Sequence, residues 1–249
     1  MAFTYTTASN ASGFTQAQLV TFIDDRMVTG LGYTQADSYT SGSDFRVYSY
    51  ATNGTTKGTF IVRVEVSATQ VILTSYDTWN SGTHTGTGTS STTSLSWSNA
   101  SGLTADIFSG TEGRFFVLGN NSNRLAIGYL KCSTINTTTW PESRYRHAML
   151  PAGSNLGTFY TSTGINSTMS MNAVNLTSVG AVTWAGSKRQ VWGPKVVYSS
   201  ASGYAGFFTD VLETGLSGIA YGDIIQVTAG VEEYFVIGAS GNACVLRTV

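Results

Sequence analysis

Hydrophobic residues recur with helical spacing near the start of the chain, in the stretch FTQAQLVTFIDDRMVTGLGY. Thr15 and Gln18 stand at the spacing of a capping box at its beginning, and Gly30 or Gly32 can end it in a left-handed conformation. The pattern predicts an amphipathic helix that packs on a sheet. The apolar residues that share one face of this helix are Leu19, Val20, Phe22, Ile23 and Met27.

After this helix, apolar and polar positions alternate, as in strands with one buried face. In TFIVRVEV every second residue from Phe60 to Val66 is apolar. The run DFRVYSY precedes it, QVILTSY follows it, and Asn53 with Gly54 forms a turn dipeptide between the first two runs. We expect an antiparallel meander over residues 45–76 with the helix on one side.

The next stretch, DTWNSGTHTGTGTSSTTSLSW, consists mainly of small polar residues between Trp79 and Trp97. Such a composition provides little apolar surface to bury, so we expect a long exposed loop or an irregular ribbon. Loops of this length in compact domains tend to be functional or to order against a neighbour.

Two hairpin patterns resemble each other across the chain. RFFVLGNNSNRLAIGYL closes the first half, and the chain ends on EYFVIGASGNACVLRTV. At an offset of 119 residues, Phe115 corresponds to Tyr234 and Asn123 to Asn242. An internal duplication is one interpretation. A chance likeness between two hairpins of a β-rich chain is the other.

The second half contains short apolar runs separated by Gly and Ser, a spacing typical of a sandwich or a similar antiparallel architecture. We therefore predict an α+β fold that is predominantly antiparallel β. It comprises one N-terminal helix on a β-meander in residues 1–131 and an all-β, sandwich-like domain in residues 132–249. A diverged repeat of the first half is one explanation of the second.

The amino-acid composition of the chain argues against several classes of partner. Charged residues make up 11% of the chain, against roughly 25% in soluble domains. The net charge is −1 and no basic run occurs, which argues against DNA, RNA or anionic lipid as partners. The first residues lack the blocks of a signal peptide and no long apolar segment is present, so we expect synthesis in a cytoplasm and no membrane partner.

Few residues suggest catalytic or metal chemistry. His84 and His147 have no second ligand at metal spacing, and Cys132 and Cys244 are interpreted as free, buried thiols. Neither a phosphate-binding loop nor a nucleophile motif occurs, so we predict no cofactor, no metal and no enzymatic activity.

Acidic residues leave one alternative open, because a glycosidase needs only two carboxylates close in space. Asp77 lies next to Trp79, and with Tyr76 and Trp97 it could form a carbohydrate-binding rim on which a sugar stacks. The alternative interpretation is that Trp79 caps the end of a sheet and Asp77 begins a turn. The other candidate acids are Asp106, Glu112, Asp210, Glu232 and Glu233.

Three segments resemble structural proteins of tailed bacteriophage virions, namely ILTSYDTWNSGTHTGTG, GRFFVLGNNSNRLAIGYL and GDIIQVTAGVEEYFVIG. These are aromatic, glycine and asparagine patterns rather than catalytic signatures. The resemblance implies a non-enzymatic virion component of the tail, baseplate or fibre-attachment region, whose partners are other virion proteins and copies of itself. It implies no particular binding residues.

Low charge suits the same role, because neutral loops and strands can meet neighbouring subunits without ion pairs. The chain would then be found in the virion after synthesis in the host cytoplasm. The alternatives are a host-surface carbohydrate-binding module, a head decoration protein and, least favoured, an enzyme that degrades capsular sugar.

Overall fold

The computed structural model describes most of the first half of the chain and separate stretches of the second. The described residues are 4–10, 13–51, 59–89, 92–99, 102–110, 113–119, 124–130, 133–134, 148–149, 158–160, 168–170, 181–184, 187–190, 192–199, 203–214, 219–228, 232–238 and 243–248. The Asn53-Gly54 turn, Glu112, Cys132 and His147 lie outside them, and so do the side chains of Asp210 and Cys244.

The fold is mostly antiparallel β with one α-helix among the described residues, which confirms the predicted α+β class. In the first half the strands are β1 (Thr4–Asn10), β2 (Thr34–Ser41), β3 (Ser43–Ala51), β4 (Thr59–Val66), β5 (Gln70–Tyr76), β6 (Thr78–Asn80), β7 (Thr85–Thr87), β8 (Thr93–Ser96), β9 (Leu103–Gly110), β10 (Gly113–Gly119) and β11 (Arg124–Leu130). In the second half they are β12 (Ser133–Thr134), β13 (Ala148–Met149), β14 (Thr158–Tyr160), β15 (Thr168–Ser170), β16 (Ala181–Trp184), β17 (Ser187–Gln190), β18 (Trp192–Ser199), β19 (Gly203–Thr214), β20 (Ile224–Thr228), β21 (Glu232–Gly238) and β22 (Ala243–Arg247).

The predicted helix is confirmed as α1 (Gln16–Asp24), which continues into a π-helical segment over Asp25–Gly30. Both bonds of the capping box at its start are present between Thr15 and Gln18. Gly32, with φ of +72°, follows its end in the left-handed conformation. The buried helical side chains are Leu19, Val20, Ile23 and Met27, and Phe22 packs partly buried against the same core.

Two sheets of the first half face each other across the main core. One has five strands in the order β2-β3-β4-β5-β8, which confirms the meander over β3, β4 and β5. The other has four strands in the order β1-β9-β10-β11. One face of each sheet contributes to the core, for example Phe60 and Leu73 from the first sheet and Phe116 from the second, and the helix packs into the same cluster.

Hydrogen bonds of Tyr33 join the end of the helical segment to the four-stranded sheet. Tyr33, just beyond the helical segment, is 2% exposed. Its hydroxyl donates to the Arg114 carbonyl at 2.7 Å and accepts from the Tyr129 amide at 2.8 Å. Burial is the main reason that the pKa of the Tyr33 phenol is raised well above its ordinary value. Tyr33 therefore fixes the end of the helix against β10 and β11.

Most described strands of the second half join one nine-stranded sheet, with the order β13-β14-β15-β18-β19-β22-β21-β20 and β12 beside β19. Strands β16 and β17 form a separate ribbon. Thus the two sheets that face each other across a core both belong to the first half, and the described strands of residues 132–249 other than β16 and β17 form one large sheet.

The two similar hairpins share their register as well as their sequence. In β10 and β11, Phe116 pairs with Ile127, and in β21 and β22, Phe235 pairs with Leu246. Both members of the second pair lie 119 residues beyond those of the first. A bulge after Val236 interrupts the match. The shared register supports the hypothesis of an internal repeat.

Residues on the two sides of the predicted boundary between residues 131 and 132 are in contact. The Phe235 ring meets the Phe108 ring edge-on at 5.1 Å, and the Tyr221 hydroxyl donates to Asp106 Oδ2 at 2.5 Å. Asp106 is 5% exposed and also accepts from the Thr7 hydroxyl at 2.6 Å. The C-terminal hairpin and the turn before β20 therefore contact the second face of the four-stranded sheet, while the division into two domains stays a prediction.

Candidate functional site

The stretch that follows β5 folds back onto the outer face of the five-stranded sheet. Strands β6 and β7 pair from Thr78 to Asn80 and from Thr85 to Thr87. Trp79 packs against Tyr76, Val47 and Ile61 on the face opposite the main core. The expected long exposed loop or irregular ribbon is therefore wrong in part, because this segment contains a regular two-stranded hairpin. Its later residues form β8, whose Leu95 is fully buried.

Asp37 of strand β2 holds this hairpin down. Its Oδ2 lies 2.8 Å from Trp79 Nε1, which donates to it, and 2.9 Å from His84 Nδ1. The Asp37 side chain is 7% exposed, whereas that of His84 is 45% exposed. Since an ionised carboxylate can only accept hydrogen bonds, His84 carries its proton on Nδ1.

Aromatic rings extend from His84 across the sheet. The His84 ring stacks on Tyr39 at 4.2 Å, and Tyr39 stacks on Phe45 at 4.6 Å. The Arg63 guanidinium lies over Phe45 at 5.3 Å and over Tyr76 at 5.7 Å. These distances are within the range of cation–π attraction.

Tyr76 and Trp79 complete the series, with ring centroids 5.0 Å apart in an edge-on arrangement. Because Trp79 binds Asp37, the contacts form a closed circuit. We call it the Asp37 cluster, and its members are Asp37, Tyr39, Phe45, Arg63, Tyr76, Trp79 and His84.

The electrostatics of the cluster favour an ionised Asp37. Burial alone would raise the pKa of this carboxyl, but the hydrogen bonds from His84 and Trp79 outweigh burial, and the pKa is lowered below its ordinary value. Burial raises the pKa of the Tyr76 phenol, so Tyr76 stays neutral at physiological pH. The cluster thus contains one buried anion held by two N–H groups.

Two glycines let the hairpin approach the sheet closely. A Cβ added to Gly86 would lie 2.3 Å from the Tyr76 ring, and one added to Gly88 would lie 2.1 Å from Asp77 Oδ2. Gly88 also has a φ of +66°, which disfavours other residues. His84 adopts a left-handed φ of 53° without being glycine, a conformation uncommon for other residues. The glycines at positions 86 and 88 are thus required by the close packing of the hairpin on the sheet.

The four residues of the predicted carbohydrate-binding rim do not share one surface. Tyr76, Asp77 and Trp79 are neighbours on the outer face, and Tyr76 is 6% exposed. The Asp77 amide donates to the Thr87 carbonyl at 2.8 Å. Trp97 is 5% exposed within the main core on the other side of the sheet, where its Nε1 donates to the Ser67 carbonyl at 3.2 Å. Three of the four are therefore brought together.

The sequence patterns did not single out Asp37, and they placed His84 in an exposed loop or irregular ribbon. Asp37 stands in a polar strand, TQADSYTS, that has no periodic apolar signal. It is 42 residues from Trp79 and 47 from His84. No pattern in the sequence connects positions so far apart.

Three of the other candidate acids accept a hydrogen bond from a nearby side chain. Asp106 accepts from Tyr221 and Thr7, Glu232 from the Tyr234 hydroxyl at 2.6 Å, and Glu233 from Gln226 Nε2 at 2.7 Å. The contacts of Asp106 with Thr7 and of Glu233 with Gln226 link neighbouring strands, whereas Glu232 and Tyr234 belong to the same strand.

The geometry of the Asp37 cluster stabilises a fold and leaves few of its polar atoms for a ligand. The Trp79 N–H and the His84 Nδ1 proton are both directed to Asp37. Within the described part of the chain, no three His, Cys, Asp or Glu residues are grouped so that they could hold a metal ion. The described helices are also too short or too polar to cross a membrane.

Comparison of the chain with models of known protein families and with curated protein sequences finds no match to either.

Proposed function

We propose that the chain is a non-enzymatic structural component of a tailed bacteriophage virion, in the tail, baseplate or fibre-attachment region. The observation that supports this proposal most is that several of the few charged side chains bind other side chains of the same chain. Asp24 binds Tyr48 and Arg46, Asp37 binds Trp79 and His84, and Asp106 binds Tyr221 and Thr7.

Several cations are likewise directed at aromatic rings. Arg114 lies over Tyr50 at 5.3 Å and Arg124 over Tyr221 at 3.6 Å. Only 11% of the residues are charged, and Thr is the commonest residue at the described exposed positions. Such a surface forms contacts by hydrogen bonds, which salt weakens less than ion pairs. It suits repeated copies packed in a particle.

Mass spectrometry of purified particles of the phage that encodes the chain tests this proposal. We expect the chain to be present at a constant ratio to the major capsid protein, and immunogold labelling to fall on the tail. A phage-encoded enzyme of replication, which should be absent from the particles, is the control. Absence of the chain from the particles overturns the proposal, and label on the capsid shell favours head decoration instead.

A host-surface carbohydrate-binding module is the second candidate, and the partly exposed Trp79 next to Asp77 is what favours it. The buried Trp97 weakens it, because an extended rim would need that ring at the surface. This candidate predicts binding on a glycan array that Trp79→Ala abolishes and Trp97→Phe preserves. Absence of binding by the full chain removes it.

A further inference from the structure

Among the described strands, β2 is an edge of the five-stranded sheet. Within the described residues it pairs with β3 alone, and its eight positions include six exposed side chains. An edge strand presents backbone N–H and C=O groups that another strand can pair with. The opposite edge of the same sheet is β8, which has only four residues.

The usual obstacles to edge pairing are few in β2. Its sequence, TQADSYTS, contains no Lys and no Pro. A bulge between Gln35 and Asp37 distorts one end, whereas the pairing with β3 is regular from Asp37 to Ser41. The single charge, on Asp37, is turned into the Asp37 cluster and is 7% exposed as a side chain.

We propose that a second copy of this chain pairs its own β2 antiparallel to β2 across a two-fold axis, so that the five-stranded sheets of two copies become continuous. Antiparallel pairing of one strand with itself is self-complementary, as a two-fold interface requires. Only a register centred on Asp37 would place the two carboxylates opposite each other. In a register centred on Tyr39, Ser38 of each copy lies opposite Thr40 of the other, a pairing of hydroxyls that stabilises antiparallel strands.

The exposed apolar surface favours strand pairing over a hydrophobic interface. Among the described residues, the large hydrophobic side chains that are exposed are Val28 at 40% and Ile224 at 37%. They lie in different elements, one in the helical segment and one in β20. The described surface therefore offers backbone hydrogen bonds at β2 but no apolar patch of the size that protein interfaces use.

Because β2 is the surface through which copies of the chain would meet, this pairing rests on the proposed function. A test uses the purified chain of 249 residues and a Gln35→Lys/Thr40→Lys variant. Both positions are exposed, and they lie opposite Tyr48 and Asp44 of β3, so neither lysine meets a cation within the sheet. A dimer would bring four lysines into one ribbon, and like charges across strands oppose pairing.

Two matched variants place the same charges on other edges. Ser94→Lys/Ser96→Lys alters β8, and Thr4→Lys/Thr6→Lys alters β1, the edge of the four-stranded sheet. These four positions are exposed, as are Gln35 and Thr40. Circular dichroism and thermal unfolding show that each variant is folded before its mass is measured by light scattering after gel filtration.

We expect the wild-type chain to be dimeric or larger and the β2 variant to raise the dissociation constant of the dimer at least tenfold, with the β8 and β1 variants unchanged. Hydrogen exchange should show β2 amides that become protected as the wild-type concentration rises and that remain unprotected in the β2 variant. A wild-type monomer at high concentration overturns the inference, as does a dimer that only the β8 or β1 variant dissociates. A chain that dimerises through β2 but is absent from particles overturns the proposed function and leaves this inference standing.

Discussion

At Asp37 a carboxylate is nearly buried on a strand whose other positions are mostly exposed. Burial of a charge is costly unless hydrogen bonds compensate, and here the Trp79 and His84 N–H groups provide them. The cluster connects β2, β6 and the turn between β6 and β7. Its hydrogen bonds therefore hold the β6–β7 hairpin against the sheet.

A double-mutant cycle between Asp37→Ala and Trp79→Phe should show coupling of about 2 kcal/mol, the range for a hydrogen bond to a charged acceptor. The Phe ring keeps much of the packing on Tyr76 and removes the donor. Urea unfolding followed by circular dichroism measures the four free energies. The matched cycle pairs Asp37→Ala with Trp97→Phe, on the other side of the sheet, where we expect coupling below about 0.5 kcal/mol. Equal coupling in both cycles would contradict a direct bond.

The lowered pKa of Asp37 predicts an acid sensitivity of defined sign. Since the folded-state pKa lies below the unfolded value of about 3.9, the stabilisation is fully present above that value. It is lost as pH falls through the folded pKa. The difference in unfolding free energy between wild type and Asp37→Asn should therefore shrink as the pH falls from about 3.9 through the folded-state pKa. A difference that grows with acid would show that the assigned sign is wrong.

At the scale of elements, the hairpin of β10 and β11 depends on one close approach. Gly128 has a φ of +136°, and a Cβ there would lie 2.4 Å from the Arg114 carbonyl oxygen. Backbone strain of this kind costs about 1–3 kcal/mol, and the clash adds to it. Gly128→Ala should therefore lower the unfolding free energy by at least about 2 kcal/mol.

Gly42→Ala is the matched control for that prediction. Gly42 also has a positive φ, +75°, but no atom lies within 4 Å of its added Cβ. We expect a loss of about 1 kcal/mol, from backbone strain alone. Thermal and urea unfolding of the two variants separate strain from steric overlap. Equal losses would show that the approach to Arg114 is unimportant.

The elements that sequence predicts well are those whose apolar period is local. The helix, the β3–β5 meander and the β10–β11 hairpin all follow from such patterns, and Thr15 with Gln18 marks the start of the helix as expected. The β6–β7 hairpin has no such period, and its glycines at positions 86 and 88 are required by contacts with Tyr76 and Asp77 rather than by a local pattern. The cluster at Asp37 depends on contacts more than 40 residues apart, which local patterns do not encode.

In the molecule as a whole, the contact between Phe108 and Phe235 joins residues 1–131 to residues 132–249, and we expect it to make the two parts unfold together. Phe235 is 3% exposed, and its ring contacts Tyr221 as well, at 5.5 Å. The hydrogen bond from Tyr221 to Asp106 crosses the same boundary. If these contacts couple the halves, a destabilising substitution in β21 should also destabilise β9 and β10.

Phe235→Ala should cost about 3–5 kcal/mol as a large-to-small change in a buried site. Hydrogen exchange should show loss of amide protection in β9 and β10 together with β21. Val236→Ala is the control, because Val236 is buried on the opposite face of the same strand with Tyr234 and Val245. It should weaken the nine-stranded sheet and leave β9 and β10 closer to wild type, since its side chain does not pack on them. Unchanged protection of β9 and β10 in Phe235→Ala would mean that residues 1–131 and 132–249 unfold independently, as separate domains do.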